Sequence, residues 1–351
     1  MRKNFFKQFG GKSTRELEAY YRQSENWREG SFQNIEPTTL GASLLEFPKI
    51  IYKQLTNTKG RVPEQSLAVA AFDKSAFLQE SDKAKFIWYG HSALLIRISG
   101  KTIMIDPMLG PDTTPIAPVP TKRFSENTLD LIDDFPEIDL ILITHDHYDH
   151  LDFASIQKLK AKAKHFFVAI GVKRHLEAWG VSSASISEFD WWQAQSFHNL
   201  NITFTPTRHF SGRGLTDRGK TLWGGWAIQS AQENIWFSGD GGYGDHFKAV
   251  GQRLGPFDFA FMECGQYNKD WHLIHLFPEE AIKAALDAGV QKAMPVHWAG
   301  FPLSYQHTWQ EPANDFQSFA TQYQLDYSFP ELGKIFQVST ILKAKWWEGL
   351  R

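Results

Sequence analysis

The sequence predicts an α/β fold in which two sheets lie between helical layers. Three observations predict it. Short apolar runs alternate with helical periodicity in two successive halves of the chain. From Phe86 onward those runs are punctuated by Gly, Asp and His, and no low-complexity tract or solenoid repeat is present. A chain of 351 residues exceeds the usual single domain, yet a layered sandwich can reach this size as one unit. We therefore expect one domain over residues 84–351 with an N-terminal arm over residues 1–83.

Taken in order, the arm mixes charged stretches (residues 15–28) with an apolar one (residues 44–52). Its polar patches argue against a separate core. It reads as short helices packing on the domain or on a partner subunit, and Phe5, Phe6 and residues 44–52 could touch lipid. Residues 94–98 and 102–105, separated by Ser99-Gly100-Lys101, form a hairpin pattern. Residues 108–124 carry Pro111, Pro115, Pro118 and Pro120 and little periodicity, which marks a long loop, read here as a substrate-gorge wall with a rigid surface Ω-loop as the alternative.

Helical spacing of Phe153, Ile156 and Leu159 predicts a helix over residues 153–163, with Asp152 as N-cap. A second helix is expected over residues 278–288, where Pro278 opens it, Glu279 and Glu280 fill its first turn and Gly289 closes it. A third is expected over residues 312–323.

The chemistry is concentrated after the buried-strand pattern Leu140-Ile141-Leu142-Ile143. There the chain reads Thr144-His145-Asp146-His147-Tyr148-Asp149-His150-Leu151-Asp152. Three imidazoles and three carboxylates in that space serve no solvated loop, but they suit divalent ions, because neutral imidazole is a preferred donor and carboxylate balances charge. His145 and His147 alternate so that both can face one ion, while Asp149 and His150 can face a second.

Composition narrows the function. A net charge of −2 leaves no basic stripe for nucleic acid. The single cysteine, Cys264, excludes an intramolecular disulfide and a cysteine zinc cage. It follows the apolar residues 257–262 and reads as a buried structural thiol rather than a nucleophile. Residues 1–10 are basic without an apolar core, so no signal peptide is expected as written, and no window approaches the ~18 apolar residues of a membrane span. A cytoplasmic protein is the resulting expectation.

The HxHxDH string resembles the metallo-β-lactamase superfamily, and three further strand ends carry the resemblance: Pro206-Thr207-Arg208-His209, Phe237-Ser238-Gly239-Asp240 and Pro295-Val296-His297. Within it, the N-acylphosphatidylethanolamine-hydrolysing phospholipase D branch is similar at Trp88-Tyr89-Gly90-His91-Ser92-Ala93, Ile105-Asp106-Pro107, Lys122-Arg123-Phe124, Gly239-Asp240-Gly241-Gly242-Tyr243 and His275-Leu276-Phe277-Pro278-Glu279-Glu280-Ala281. The likeness covers roughly residues 84–340 and implies the αββα four-layer sandwich of that superfamily.

It also implies two zinc ions per chain. His145, His147 and His209 would hold one; Asp149, His150 and His297 would hold the other; Asp240 would bridge them. Such a pair would carry a bridging hydroxide, with Asp149 orienting it. Thr144 and Asp152 are candidates to fix imidazole tautomers, Asp152 equally as a plain helix cap. Asp106 is either a turn acid or support for a ligand. His275 stands where the branch keeps a histidine near its site, as proton donor or phosphate contact, and His91 is either a site residue or a satisfied core histidine. His165, His175, His198, His246, His272 and His307 lie in no motif and read as structural or solvated. Trp191, Trp192, Trp271 and Phe301 read as core more than as a substrate cradle.

The leading expectation is a binuclear zinc hydrolase that cleaves a phosphodiester, such as that of a lipid, in the manner of a phospholipase D. The alternative is a lactonase or other ester hydrolase, because the same nucleophile attacks a carbonyl. A non-enzymatic scaffold would have lost ligands, and none is missing. The expected partner is a small-molecule or lipid phosphodiester, with contact to a membrane surface or to a second copy of the chain left open by the arm.

Overall fold

Two seven-stranded sheets built on one plan face each other. The computed structural model describes residues 6–39, 47–113, 121–214 and 216–350. In the first sheet, Ile335–Phe336, Lys85–Trp88, Leu94–Ile98, Lys101–Ile105, Ile138–Ile143, Ala163–Ala169 and Ile186–Phe189 lie side by side in that order. Pairings up to Lys101–Ile105 are antiparallel and those beyond it parallel. The second sheet runs Asp326–Tyr327, Lys292–Val296, Phe259–Glu263, Asn234–Phe237, Gly225–Gln229, Leu200–Thr205 and Ala194–Phe197. Its first four strands are parallel and the rest antiparallel.

The parallel halves are the apolar runs of the sequence. Lys292–Val296 and Phe259–Glu263 are buried at every residue, as strands covered on both faces must be. Between the sheets, Phe86 of one lies 5.8 Å from Phe259 and 5.4 Å from Phe261 of the other, ring centre to ring centre. Helices Phe153–Leu159 and Lys173–Ala178 connect successive parallel strands of the first sheet. His246–Leu254, Pro278–Asp287 and Glu311–Gln322 pack against one another and the second sheet. The result is the αββα arrangement.

Local chemistry sets most boundaries. Asp152 caps its helix by accepting from the N–H groups of Ala154 (3.2 Å) and Ser155 (2.8 Å). That helix stops at Leu159 instead of reaching residue 163. The reason is tertiary, because Ala163 already begins a strand paired in parallel with Ile138. The hairpin's second strand starts at Lys101, and the third helix spans Glu311–Gln322, each shifted by one residue from expectation. Gly289 ends Pro278–Asp287 in the left-handed region at φ +71°, where a Cβ would be strained.

The N-terminal segment forms short helices, Arg15–Tyr21, Phe47–Thr56 and Lys74–Leu78, and a small ribbon, Trp27–Arg28 with Ser31–Phe32. It is strapped to the loops at one end of the sheets. The Trp179 indole N–H donates to Lys7 O (2.6 Å), Arg213 donates to Gln8 O (2.7 Å), and Phe32 N–H to Gly219 O (2.8 Å). Phe6 and Tyr52 are largely exposed, whereas Phe5 and residues 44–46 fall outside the described residues. Among the described residues no helix is long and apolar enough to cross a membrane.

Phe86 joins the sheets through two aromatic partners, Phe259 and Phe261, and also packs on Phe336 of its own sheet at 5.4 Å. Phe86→Ala should therefore cost about 3–5 kcal/mol of stability, read from denaturant melts. A loss below about 1 kcal/mol would mean the sheets are not held there.

Candidate metal centre

Parallel strands deliver their C-terminal ends to one edge of the sandwich, where open α/β sheets place ligand sites. Ile138–Ile143 is buried at every position except Asp139 and leads directly into residues 144–150. Beside it, Lys101–Ile105 ends on Asp106, whose backbone is held at φ +40°. The fully buried Asp106 carboxylate accepts from Thr144 N–H (2.9 Å), Thr144 Oγ1 (2.6 Å) and His150 Nδ1 (2.7 Å). The Thr144 hydroxyl, donating to Asp106, is free to accept from His145 Nδ1 at 3.0 Å. Both contacts leave the Nε2 lone pairs of His145 and His150 directed the other way.

Two constellations follow. In one, His145 Nε2 lies 2.9 Å and His209 Nε2 3.2 Å from His147 Nδ1. His209 donates its Nδ1–H to Ile274 O at 2.9 Å, which leaves its Nε2 as the donor atom. In the other, Asp240 Oδ2 lies 3.1 Å from His150 Nε2 and 3.0 Å from His297 Nε2. Asp149 Oδ2 is 3.1 Å from His297 Nε2 and 3.6 Å from His150 Nε2. Asp240 Oδ2 also lies 3.9 Å from His209 Nε2, which ties the two groups together. Donors around a tetrahedral zinc, at about 2.0–2.1 Å from the ion, are about 3.3 Å from one another. Most of the observed separations, 2.9–3.6 Å, lie near that edge length, so the residues fit a divalent metal.

The electrostatics fit as well. Burial and neighbouring imidazoles hold His145 and His209 well below the usual histidine range, and burial likewise lowers His147. The lowering favours the neutral imidazole, the form that binds metal. Burial also pushes His150 down, but Asp240, Asp149 and Asp106 outweigh it and raise it to about 10. His297 is raised in the same way, chiefly by Asp240 and Asp149 against burial. Burial raises Asp149 and Asp240, yet the facing histidines bring both well below the carboxylate range. This half of the site is a concentrated negative field suited to a cation.

The histidines outside the HxHxDH string divide sharply. His91 belongs with the cluster: fully buried, it places Nε2 2.9 Å from Asp149 Oδ2 and its ring 4.1 Å from that of His297. His275, only partly buried, stands beside the rings of His209 (5.0 Å) and His297 (5.4 Å). His175 and Asp146 form a separate buried contact at 3.3 Å, and His246 and His307 are buried elsewhere. His165, His198 and His272 are exposed. Asp152 caps a helix. Trp191 is core, and Trp192 carries Arg253 at 4.1 Å from its ring. Trp271 donates to Gln266 O (2.7 Å). Phe301 is buried edge-on to His91 at 5.3 Å.

Glu263 was not legible as a site residue. It ends the buried strand Phe259–Glu263, and its Oε1 lies 3.2 Å from His275 Nδ1 and 3.3 Å from His297 Nδ1, the latter without hydrogen-bond alignment. Its other oxygen accepts from Leu276 N–H at 2.7 Å. One signal existed: an acid closing an otherwise apolar strand, much as Asp240 follows Asn234–Phe237 by three residues. At the base of the proline-rich loop, the Arg123 guanidinium donates to Tyr89 O (2.9 Å) and Met108 O and lies 4.7 Å from the Phe301 ring. Residues 114–120, with the loop's other prolines, lie outside the described residues.

A fold and donor set of this kind define a metal-dependent hydrolase, and comparison with known proteins agrees. The family model for the beta-lactamase superfamily domain matches residues 101–298. An uncharacterized protein of Mycobacterium tuberculosis is 32% identical over 343 residues, 96% of this chain and 91% of that protein. The chain belongs to the metallo-β-lactamase superfamily. An N-acyl-phosphatidylethanolamine-hydrolyzing phospholipase D of Caenorhabditis elegans is 29% identical over 72% of this chain and 75% of its own length. Among solved structures, a metallo hydrolase from Ignicoccus hospitalis shares the fold at a TM-score of 0.57 and 21% identity, over 72% of this chain and 97% of that one.

Asp106→Asn keeps the shape but loses the anionic acceptor for His150 and Thr144. Metal affinity should fall about 10–100-fold, as measured by chelator competition, with secondary structure retained. Unchanged affinity would remove Asp106 from the account.

Proposed function

We propose that this chain is a binuclear hydrolase, with zinc the metal best matched by its donors, which cleaves a phosphodiester bearing an apolar arm on the head-group side, as a phospholipase D does. The observation that carries the proposal is Asp240, which faces His150 and His297 at 3.1 and 3.0 Å and His209 at 3.9 Å, in a chain related to phospholipases of that specificity. His145, His147 and His209 are the proposed holders of one ion, Asp149, His150 and His297 of the other, and Asp240 of both. Divalent metal held by these residues would supply a water of lowered pKa and would neutralise charge on the oxygens of the attacked group.

The chain's own residues supply the rest. Asp149 is fixed by His91 and His297 and is positioned to orient the attacking water. Attack at phosphorus breaks the bond to the leaving alkoxide, which needs a proton. His275, partly exposed at the edge of the cluster, is the proposed donor, with Glu263 at its Nδ1 leaving Nε2 for the leaving oxygen. Burial pushes the Cys264 thiol well above its ordinary value, so it is no competing nucleophile.

Turnover of N-acylphosphatidylethanolamine, bis(p-nitrophenyl) phosphate and a lactone, each with and without chelator, tests the proposal. Both phosphodiesters should be hydrolysed in a chelator-sensitive way. His275→Ala should lose about 10²–10⁴-fold on the lipid, whose alkoxide requires protonation, and far less on the nitrophenyl ester. Chelator-sensitive turnover of the lactone alone would move the protein to the ester hydrolases.

A further inference from the structure

His209 differs from the other proposed ligands in how its backbone is held. It lies in the run of residues 206–219, beyond the end of Leu200–Thr205, where no strand ladder pairs its main chain. Both of its backbone polar groups are instead taken by one side chain from the N-terminal segment. His209 N–H donates to Asn34 Oδ1 at 3.0 Å, and Asn34 Nδ2 donates to His209 O at 2.8 Å. The amide is itself fixed, because Trp223 Nε1 donates to the same Oδ1 at 3.1 Å.

A side-chain amide that meets both the N–H and the C=O of one residue imitates a neighbouring strand and fixes that residue's backbone. The ring of His209 is fixed separately by Ile274 O at 2.9 Å, leaving Nε2 3.2 Å from His147 Nδ1. Removing the amide would leave a donor and an acceptor of a buried residue without partners, a penalty larger than the worth of either bond. The backbone would then shift to find new partners, and the ring would shift with it.

We propose that Asn34 is a positioning residue for His209, so that the N-terminal segment, which the superfamily match leaves out, completes the three-histidine half of the metal centre. This rests on the reading of His209 as a ligand. Neighbouring arm contacts provide an internal control. Thr38 Oγ1 accepts from Arg208 Nε at 2.9 Å, anchoring the same segment to the residue next door without touching His209.

The test measures zinc affinity by competition with a chromophoric chelator, and the visible spectrum of the cobalt-substituted protein, on the full chain. The wild type is compared with His209→Ala, Asn34→Ala, Asn34→Asp and Thr38→Ala. Asn34→Ala should weaken one bound ion about 10-fold or more and alter the cobalt spectrum, while Thr38→Ala stays within about twofold of wild type. Asn34→Asp keeps the acceptor for His209 N–H but cannot donate to His209 O. It should also weaken that ion, and being nearly isosteric it supplies the comparison if the alanine variant does not fold.

Wild-type affinity and spectrum in both Asn34 variants, with an ion lost in His209→Ala, would overturn the inference and leave the site reading intact. Equal losses in Asn34→Ala and Thr38→Ala would assign the effect to docking of the arm as a whole and also overturn it. An unchanged His209→Ala would overturn the reading of His209 itself, and the inference with it.

Discussion

Four carboxylates, Asp106, Asp149, Asp240 and Glu263, converge with seven imidazoles in one largely buried cluster at the end of the sandwich. Each such group taken out of water costs several kcal/mol unless it is paired. The structure satisfies that constraint with alternating charge: every carboxylate faces at least one imidazole within hydrogen-bonding range. The surrounding architecture follows from holding those groups in register. Asp106, which anchors Thr144, and through it His145, as well as His150, comes from the strand adjacent to the one that delivers the HxHxDH string.

The two sheets must also be locked to each other at this edge. Two backbone hydrogen bonds do so directly, His91 N–H to Trp298 O at 2.8 Å and His297 N–H to His91 O at 2.9 Å. They join the end of Lys85–Trp88 in one sheet to the end of Lys292–Val296 in the other. The clasp demands unusual backbone. His91, Asp106, His297 and Ala299 all have positive φ, between +40° and +71°, although none is glycine. Such conformations cost of order 1–3 kcal/mol each and persist where surroundings over-determine them. Gly265 allows the remaining close approach, since a Cβ there would meet His297 O at 1.9 Å.

These features explain what could be read in advance. Donor residues at the ends of apolar strands announce themselves, because the burial that makes a strand apolar also makes a terminal His or Asp conspicuous. His145, His147, His150, Asp240 and His297 stand out on that ground, whereas the αββα class follows from the alternation of strand and helix patterns together with the superfamily resemblance. Asp106 and His91 were visible as residues but not as partners. Their roles depend on which strands become neighbours, and His91 meets Asp149 across 58 positions. Asn34 gave no signal at all, since an amide reaching 175 residues along the chain to a backbone looks like any polar arm residue. The helix after Asp152 is shorter than its periodicity predicts for the same kind of reason: parallel pairing of Ala163 overrides the local pattern.

The central claim is that these donors hold two ions sharing Asp240. Anomalous diffraction at the zinc edge from crystals of the zinc-reconstituted protein tests it most directly. The account predicts two peaks about 3.5–4 Å apart, one ringed by His145, His147 and His209 and the other by Asp149, His150 and His297, with Asp240 between them. A single peak, or two peaks that Asp240 does not join, would contradict it.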